Sequence, residues 1–90
     1  MIRLFVRHKV ADFATWKRGY DSFDAVRKKM GVRGAAVFQG AVDKGDVTIW
    51  HDFDTLEAAQ ALVKSPELAA AMKKAGVSGA PEVWFVSREL

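Results

Sequence analysis

The sequence has no cysteine among its 90 residues. Disulfides and thiol chemistry are therefore excluded, and the composition fits a reducing compartment. No apolar run approaches the roughly 18–20 residues that a membrane-spanning helix needs. Residues 1–5 also lack the basic-then-apolar order of a signal peptide. We expect a cytoplasmic protein that does not enter a membrane.

Histidine is scarce as well, because His8 and His51 are the only two. With no cysteine and no His-x-His spacing, we predict no metal site. A nucleophile elbow and a dinucleotide fingerprint are both missing. The glycine-containing segment 31–34 precedes a predicted strand, whereas a phosphate-binding loop leads into a helix. The common motif-based enzyme classes are therefore disfavoured.

The sequence has no segment dominated by charge of one sign. Its 14 basic and 11 acidic residues are interspersed and give a net charge of +3. The longest basic run, Arg27-Lys28-Lys29, is typical of a solvated helix C-terminus. We therefore expect no nucleic-acid partner. The length fits a single domain, 1–90, which would bury only about 60% of its unfolded surface. Dimerisation is a common remedy for so small a core.

Alternation and helical spacing predict six elements. Residues 2–10 alternate as a strand, and Asp12 is placed to cap a helix that runs to Met30 and ends at Gly31. Strands are predicted over 35–42 and 47–53, joined by a hairpin loop at 43–46 in which Gly45 can take a positive φ.

In the second half of the chain we predict a helix that runs to about Lys64. Asp54 is placed to cap it, and Glu57 follows three residues on. The Ser65-Pro66 pair restarts it to about residue 75. Residues 76–81, which contain two glycines and a proline, are predicted as a loop before a last strand at 83–87. The order β-α-β-β-α-β predicts an α+β, ferredoxin-like fold, with a four-stranded antiparallel sheet and helices on one face.

The two faces of this sheet differ in character. If Phe5 pairs with Trp50, Arg3 lies opposite Asp52, which gives an aromatic and an opposite-charge pair in one register. The face that suits the helices then carries Ile2, Leu4, Val6, His8, Val47, Ile49, His51 and Phe53. Phe5 and Trp50 lie on the other, free face, joined by Trp84 or Phe85. A free aromatic face marks an interaction site, and we predict a homodimer interface there.

The chain resembles the dimeric α/β-barrel superfamily in residues 7–13 (RHKVADF) with Trp16-Lys17, and in residues 52–55 (DFDT) leading to 64–68 (KSPEL). That superfamily includes antibiotic-biosynthesis monooxygenases, stress-responsive barrel proteins, polyketide cyclases and haem-degrading monooxygenases. The resemblance covers nearly the whole chain. It implies two protomers that pack their free sheet faces into a barrel, each with a pocket between its own sheet and helices.

The resemblance also implies which residues line that pocket. Its substrate-binding residues would be Trp16, Ile49, Phe53, Leu62, Leu68 and Met72, with His51, His8 and Tyr20 as candidate catalytic groups. Haem-degrading relatives have a tryptophan where this chain has Phe53 and an iron-binding histidine at about Met72. A cyclase relative uses a tyrosine and a histidine at positions similar to Leu62 and Leu68. Both sets are absent, so we expect no cofactor and neither of those mechanisms.

Histidine and tyrosine supply the candidate chemistry. A histidine in the pocket could act as a general base, because its unperturbed pKa is about 6.5. The alternative is that His8 and His51 are imidazoles at the core edge, bonded to backbone. The stripe Phe13, Trp16, Tyr20 and Phe23 is mainly core, although the Tyr20 hydroxyl needs a partner and could donate to a ligand.

We therefore predict a small-molecule-binding protein or small enzyme that acts on an apolar or aromatic compound, as a cofactor-free monooxygenase, isomerase or cyclase. One alternative is a dimer of the same fold without activity. Another is an RNA-binding module, because RNA-recognition domains share this element order and use aromatics on strands one and three. The strand-three aromatics of that signature are missing from residues 44–48 (KGDVT), and Asp52 adds an acid.

Overall fold

The computed structural model describes residues 1–88. Its strands are β1 (Ile2–Val10), β2 (Gly34–Gln39), β3 (Asp46–Phe53) and β4 (Val77–Ser87). Its helices are α1 (Phe13–Ser22), α2 (Asp24–Lys29), α3 (Leu56–Val63) and α4 (Pro66–Lys74). The strands form one antiparallel sheet in the order β2-β3-β1-β4, which confirms the predicted ferredoxin-like fold.

The predicted register of the two central strands is correct. Phe5 pairs with Trp50, and Arg3 pairs with Asp52. On the free face the Arg3 guanidinium donates two hydrogen bonds to the Asp52 carboxylate, at 2.7 and 2.9 Å. The same guanidinium lies 3.7 Å from the centroid of a Trp50 ring. The charge pair and the aromatic group therefore stabilise the same register.

The helices pack against the opposite face of the sheet, where the core lies. The core combines strand side chains with a tryptophan from α1 and two residues from α3, and consists of Leu4, Val6, Val10, Trp16, Val47, Ile49, Phe53, Ala59 and Leu62. Phe85 packs against this core, so it does not join Phe5 on the free face. Trp84 pairs with Phe5 instead. No helix within the described residues is long and apolar enough to cross a membrane.

The first helical segment is divided at Phe23, where a single helix to Met30 was predicted. The Ser22 hydroxyl donates to the Gly19 carbonyl at 2.7 Å. The Phe23 amide instead bonds to the Tyr20 carbonyl at 3.1 Å, one residue short of the α-helical spacing. A serine that bonds back to its own helix competes with the backbone in this way and bends the helix. The segment therefore continues as a separate short helix, α2.

The last strand begins earlier than predicted, because the expected loop at 76–81 is mostly strand. Arg7 pairs with Glu82 but Lys9 pairs with Ser78, so three residues of β4 lie opposite His8 alone. Gly79 takes a φ of 73° within this bulge. β4 is an edge strand, and edges and bulges are where a sheet tolerates proline and glycine. These turn-forming residues therefore mark a bulge.

Two local predictions were also wrong. Thr55, not Asp54, caps α3, because its hydroxyl accepts from the Ala58 amide at 3.2 Å. Asp54 pairs with Arg33 at 3.0 Å. Gly45 does not take a positive φ. Glycine fits this position because the backbone lies close to Val10. A Cβ on residue 45 would lie 2.7 Å from the Val10 carbonyl oxygen.

Candidate functional site

A small cavity of about 50 Å³ lies between the sheet and the four helices. Its walls are mainly apolar, and its polar members are two histidines, a tyrosine and an arginine. The lining residues are Leu4, Val6, His8, Trp16, Gly19, Tyr20, Phe23, Arg27, Ile49, His51, Leu62, Leu68, Ala71, Met72 and Ala75. Apolar concavities with a few convergent polar groups are the usual form of a small-molecule site.

The structure brings most of the sequence-predicted site residues to this cavity. Those that line it are His8, His51, Tyr20, Trp16, Ile49, Leu62, Leu68 and Met72. Phe53 does not line it, because it lies two residues beyond His51 on β3 and is fully buried in the core. The structure therefore places Phe53 in the core and outside the cavity lining. The binding and catalytic roles of the other residues stay predictions.

Tyr20 and His51 form the polar centre of the cavity. The Tyr20 hydroxyl lies 2.9 Å from Nε2 of His51, within hydrogen-bond distance. The α1 helix provides the tyrosine, and the alternation of β3 turns His51 toward the helices. Among the described residues, Nδ1 of His51 has no hydrogen-bond partner although it is buried.

Burial keeps both members of this pair neutral. Burial, with a smaller contribution from the positive charge of Arg27, lowers the pKa of His51 to about 4. Burial also raises the pKa of Tyr20, against the opposing effect of Arg27. At neutral pH the pair is therefore a neutral imidazole and a protonated phenol. The imidazole and the phenol each carry one hydrogen that can be donated, and one of these two forms the bond between the residues.

His8 lies at the other end of the cavity. It pairs with Val47, whereas His51 pairs with Leu4, four residues away along β1. Its ring contacts Trp16 edge-on, with centroids 5.4 Å apart. Both of its ring nitrogens are buried without a partner in the described part of the chain, and burial lowers its pKa. The bonded-to-backbone alternative therefore does not describe His8 here.

Arg27 is a site residue that the sequence reasoning missed. It was placed in a solvated basic turn, but its side chain is only 4% exposed. The guanidinium lies over the ring of Tyr20, 3.6 Å from the centroid. Lys28 and Lys29 are exposed, as expected for such a turn. The available signal was helical spacing, because Arg27 continues the stripe of Trp16, Tyr20 and Phe23 that lines the cavity.

A metal site requires several ligand side chains arranged around one ion. Over residues 1–88, no group of three histidine, aspartate or glutamate side chains is placed to hold one. His8 and His51 lie four strand residues apart, about 13 Å along the sheet, and cannot share an ion.

Comparison with known proteins places the fold. No family model matches the chain, and no curated protein matches it. A candidate antibiotic biosynthesis monooxygenase from Bordetella bronchiseptica superposes with a TM-score of 0.83 at 16% identity, covering 99% of this chain and 97% of the other. SnoaB, a cofactor-independent oxygenase from Streptomyces nogalater, gives 0.79 at 10% identity, covering 99% and 93%. A candidate monooxygenase of the same type from Caulobacter crescentus gives 0.78 at 16% identity, covering 99% and 90%.

The chain therefore has a ferredoxin-like α+β fold with a cavity between sheet and helices. More particularly, it has the fold of the antibiotic biosynthesis monooxygenase-like proteins, over nearly the full length of the proteins compared. The fold that the resemblance implied for one protomer is therefore confirmed.

Proposed function

We propose that this protein binds an apolar aromatic compound in the cavity and acts on it without a cofactor, as a small monooxygenase of the antibiotic-biosynthesis type. The observation that carries the proposal is the contact of 2.9 Å between Tyr20 and His51 in a mainly apolar cavity. That SnoaB, which has the same fold, is a cofactor-independent oxygenase supports the reaction class.

The pair can bind a ligand oxygen in either tautomer of His51. If the Tyr20 hydroxyl donates to Nε2, the hydrogen on Nδ1 remains free to donate. If Nε2 donates to Tyr20, the phenolic hydrogen remains free and Nδ1 accepts. One donor is left for the ligand in each case. A carbonyl or phenolic oxygen is the matching group, and the apolar walls suit an aromatic body.

Without a cofactor, the substrate itself must supply the electrons that reduce O₂. A methylene group beside an aromatic ring can do so, because its conversion to a carbonyl by one O₂ incorporates one oxygen atom and releases the other as water. The reaction begins with transfer of a proton from the substrate to a base, for which the neutral imidazole of His51 or His8 is available in the cavity. The residues of the cavity then have to orient the substrate and stabilise the anion that forms.

The RNA-binding alternative has little support on the free face. The guanidinium of Arg3 covers the ring of Trp50, and Trp84 stacks on Phe5. A base would have to displace these contacts in order to stack.

The proposal is tested by titrating the protein with 1-naphthol and with naphthalene and following fluorescence. We expect 1-naphthol to bind more tightly, because only its hydroxyl can bond to the pair. The double variant Tyr20→Phe/His51→Leu, which removes both donors, should weaken the binding of 1-naphthol roughly tenfold, the value of about one hydrogen bond, and change the binding of naphthalene far less. If the two compounds bind equally, or neither binds, the proposed function is wrong.

A further inference from the structure

The packing of the fold gives the buried charge of Arg27 a stacking contact with the Tyr20 ring, but no acidic group closer than 3.7 Å among the described residues. A guanidinium taken out of water costs free energy unless an anion or hydrogen bonds replace the lost hydration. Arg27 is 4% exposed, and its nearest acid within the described residues is Asp24, at 3.7 Å. This distance is long for a charge-assisted hydrogen bond.

Asp24 is also a weak partner for a second reason. Its carboxylate lies nearer to Lys28, at 3.0 Å, and its side chain is 53% exposed. Water and Lys28 therefore compensate much of its charge. Burial is the main effect on Arg27 and lowers its pKa, although Tyr20, Asp24 and Asp21 act in the opposite direction. The positive charge of Arg27 is under-compensated in the protein alone.

The same charge is directed at the cavity. Arg27 lines the cavity and lies over the Tyr20 ring. Its positive charge acts to lower the pKa of both Tyr20 and His51, although burial leaves the pKa of Tyr20 raised overall. His51 contributes a second, independent feature, because Nδ1 is buried without a partner among residues 1–88. A cation, a phenol and an unsatisfied imidazole nitrogen thus meet at one end of an apolar cavity.

We propose that the cavity is an anion site, which takes aromatic compounds with an anionic head group, a carboxylate or a phenolate, and that Arg27 is the counter-ion of that head group. This rests on the proposed function only in that both place an aromatic compound in the cavity. The head group lies beside Arg27 and the Tyr20–His51 pair, and the aromatic body extends along Trp16 toward His8. The buried arginine compensates the desolvation of the anion, which an apolar cavity alone could not do.

This assignment also gives Arg27 a role in the reaction. Cofactor-free oxygenation requires a deprotonated substrate, and a fixed cation lowers the pKa of a phenol or carbon acid bound beside it. The anionic form is then favoured before O₂ reacts. Arg27 would also keep His51 neutral, so that the imidazole can accept a hydrogen bond.

The test compares three ligands of similar ring size: naphthalene, 1-naphthol and 1-naphthoate. Each is titrated by calorimetry into the wild-type protein, Arg27→Met, Arg27→Lys and the control Lys29→Met. Lys29 is the exposed neighbour of this helix turn, so its substitution changes the net charge equally but leaves the cavity intact. Circular dichroism verifies that each variant is folded.

We expect the wild-type protein and Lys29→Met to bind 1-naphthoate at least tenfold more tightly than naphthalene. Arg27→Met should lose this preference and still bind naphthalene, and Arg27→Lys should retain part of it. The absorption spectrum of bound 1-naphthol should show a lowered pKa in the wild-type protein and not in Arg27→Met.

The outcomes separate the two proposals. If 1-naphthol binds through its hydroxyl but 1-naphthoate binds no more tightly than naphthalene, the anion site is wrong and the proposed function stands. If none of the three ligands binds, both are wrong. If Arg27→Met does not fold, Arg27→Lys and the pKa of bound 1-naphthol in the wild-type protein decide the question.

Discussion

The ring of Phe5 stacks on the indole of Trp84, with centroids 5.2 Å apart and planes inclined by 11°. Both residues lie on the free face of the sheet, where no helix covers them, and Trp84 is 40% exposed. Trp50 lies on the other side of Phe5 in the register. A row of three aromatic residues therefore crosses the free face.

We predict that this row is the centre of a homodimer interface. Trp50→Asp or Trp84→Asp should convert the protein to a monomer, because a carboxylate would be buried against the partner's aromatic surface. Val42→Asp is the control, since Val42 is 98% exposed in a loop. Light scattering at micromolar concentration measures the mass. A monomeric wild-type protein would contradict the prediction.

We predict that the fold loses stability on mild acidification. The pKa of His51 is about 4 in the folded protein and 6.5 in the unfolded chain. Below pH 6.5 the unfolded chain therefore binds a proton that the folded protein does not. The free energy of unfolding should fall as the pH decreases from 6.5 to about 4, by roughly 3 kcal/mol from His51. Above pH 6.5 this contribution is fully present.

The test is urea unfolding at several pH values for the wild-type protein and His51→Gln, which can still bond to Tyr20 but does not titrate. The variant should have a shallower slope in this window. His8→Gln is a useful comparison, because burial also lowers the pKa of His8. Equal slopes for His51→Gln and the wild-type protein would contradict the assignment.

We predict that Thr55 and not Asp54 determines the start of α3. Thr55→Ala removes the acceptor of the Ala58 amide and should lower the free energy of unfolding by about 1 kcal/mol. Asp54→Ala should have little effect, since Asp54 only pairs with Arg33 on the surface. Chemical denaturation of both variants checks this. A larger loss for Asp54→Ala would restore the cap predicted from the sequence.

We predict that two adjacent residues of α3 differ sharply in their contribution to stability. Leu62 is 1% exposed and packs in the core, whereas Val63 is 36% exposed. Leu62→Ala should cost about 2–5 kcal/mol, and Val63→Ala should change stability by less than about 0.5 kcal/mol. Thermal or urea unfolding measures both. Similar losses would mean that α3 is oriented differently.

The sheet could be predicted because the pattern of residues along each strand determines its two faces. Alternation along β1 and β3 gives the two faces, and the matching pairs Phe5–Trp50 and Arg3–Asp52 give the register. A shift by one residue would have buried Arg3 and exposed Leu4. The same alternation turns His51 toward the helices, which is why part of the cavity could be predicted.

Other features depend on contacts that composition does not show. The break at Phe23 follows from one side-chain hydrogen bond of Ser22, and glycine and proline in β4 form a bulge because that strand lies at the edge. Arg27 was assigned to solvent from its charge and its basic neighbours. Its burial depends on the Tyr20 ring beneath it. Charge-based reasoning fails for Arg27 because a tertiary contact, and not the general preference of arginine for solvent, determines its burial.

The α4 helix forms one wall of the cavity, yet none of its residues is buried. The cavity of about 50 Å³ is smaller than a bicyclic ligand, so one wall must give way when the ligand enters. A segment with few buried contacts opens locally at a lower free energy than the sheet. We therefore expect a ligand to enter and leave when α4 opens locally. The backbone amides of α4 should exchange with deuterium faster than those of β1 and β3. A bound ligand would slow the deuterium exchange of the α4 amides. Occupancy of the cavity could then be measured on the protein backbone, without a signal from the ligand.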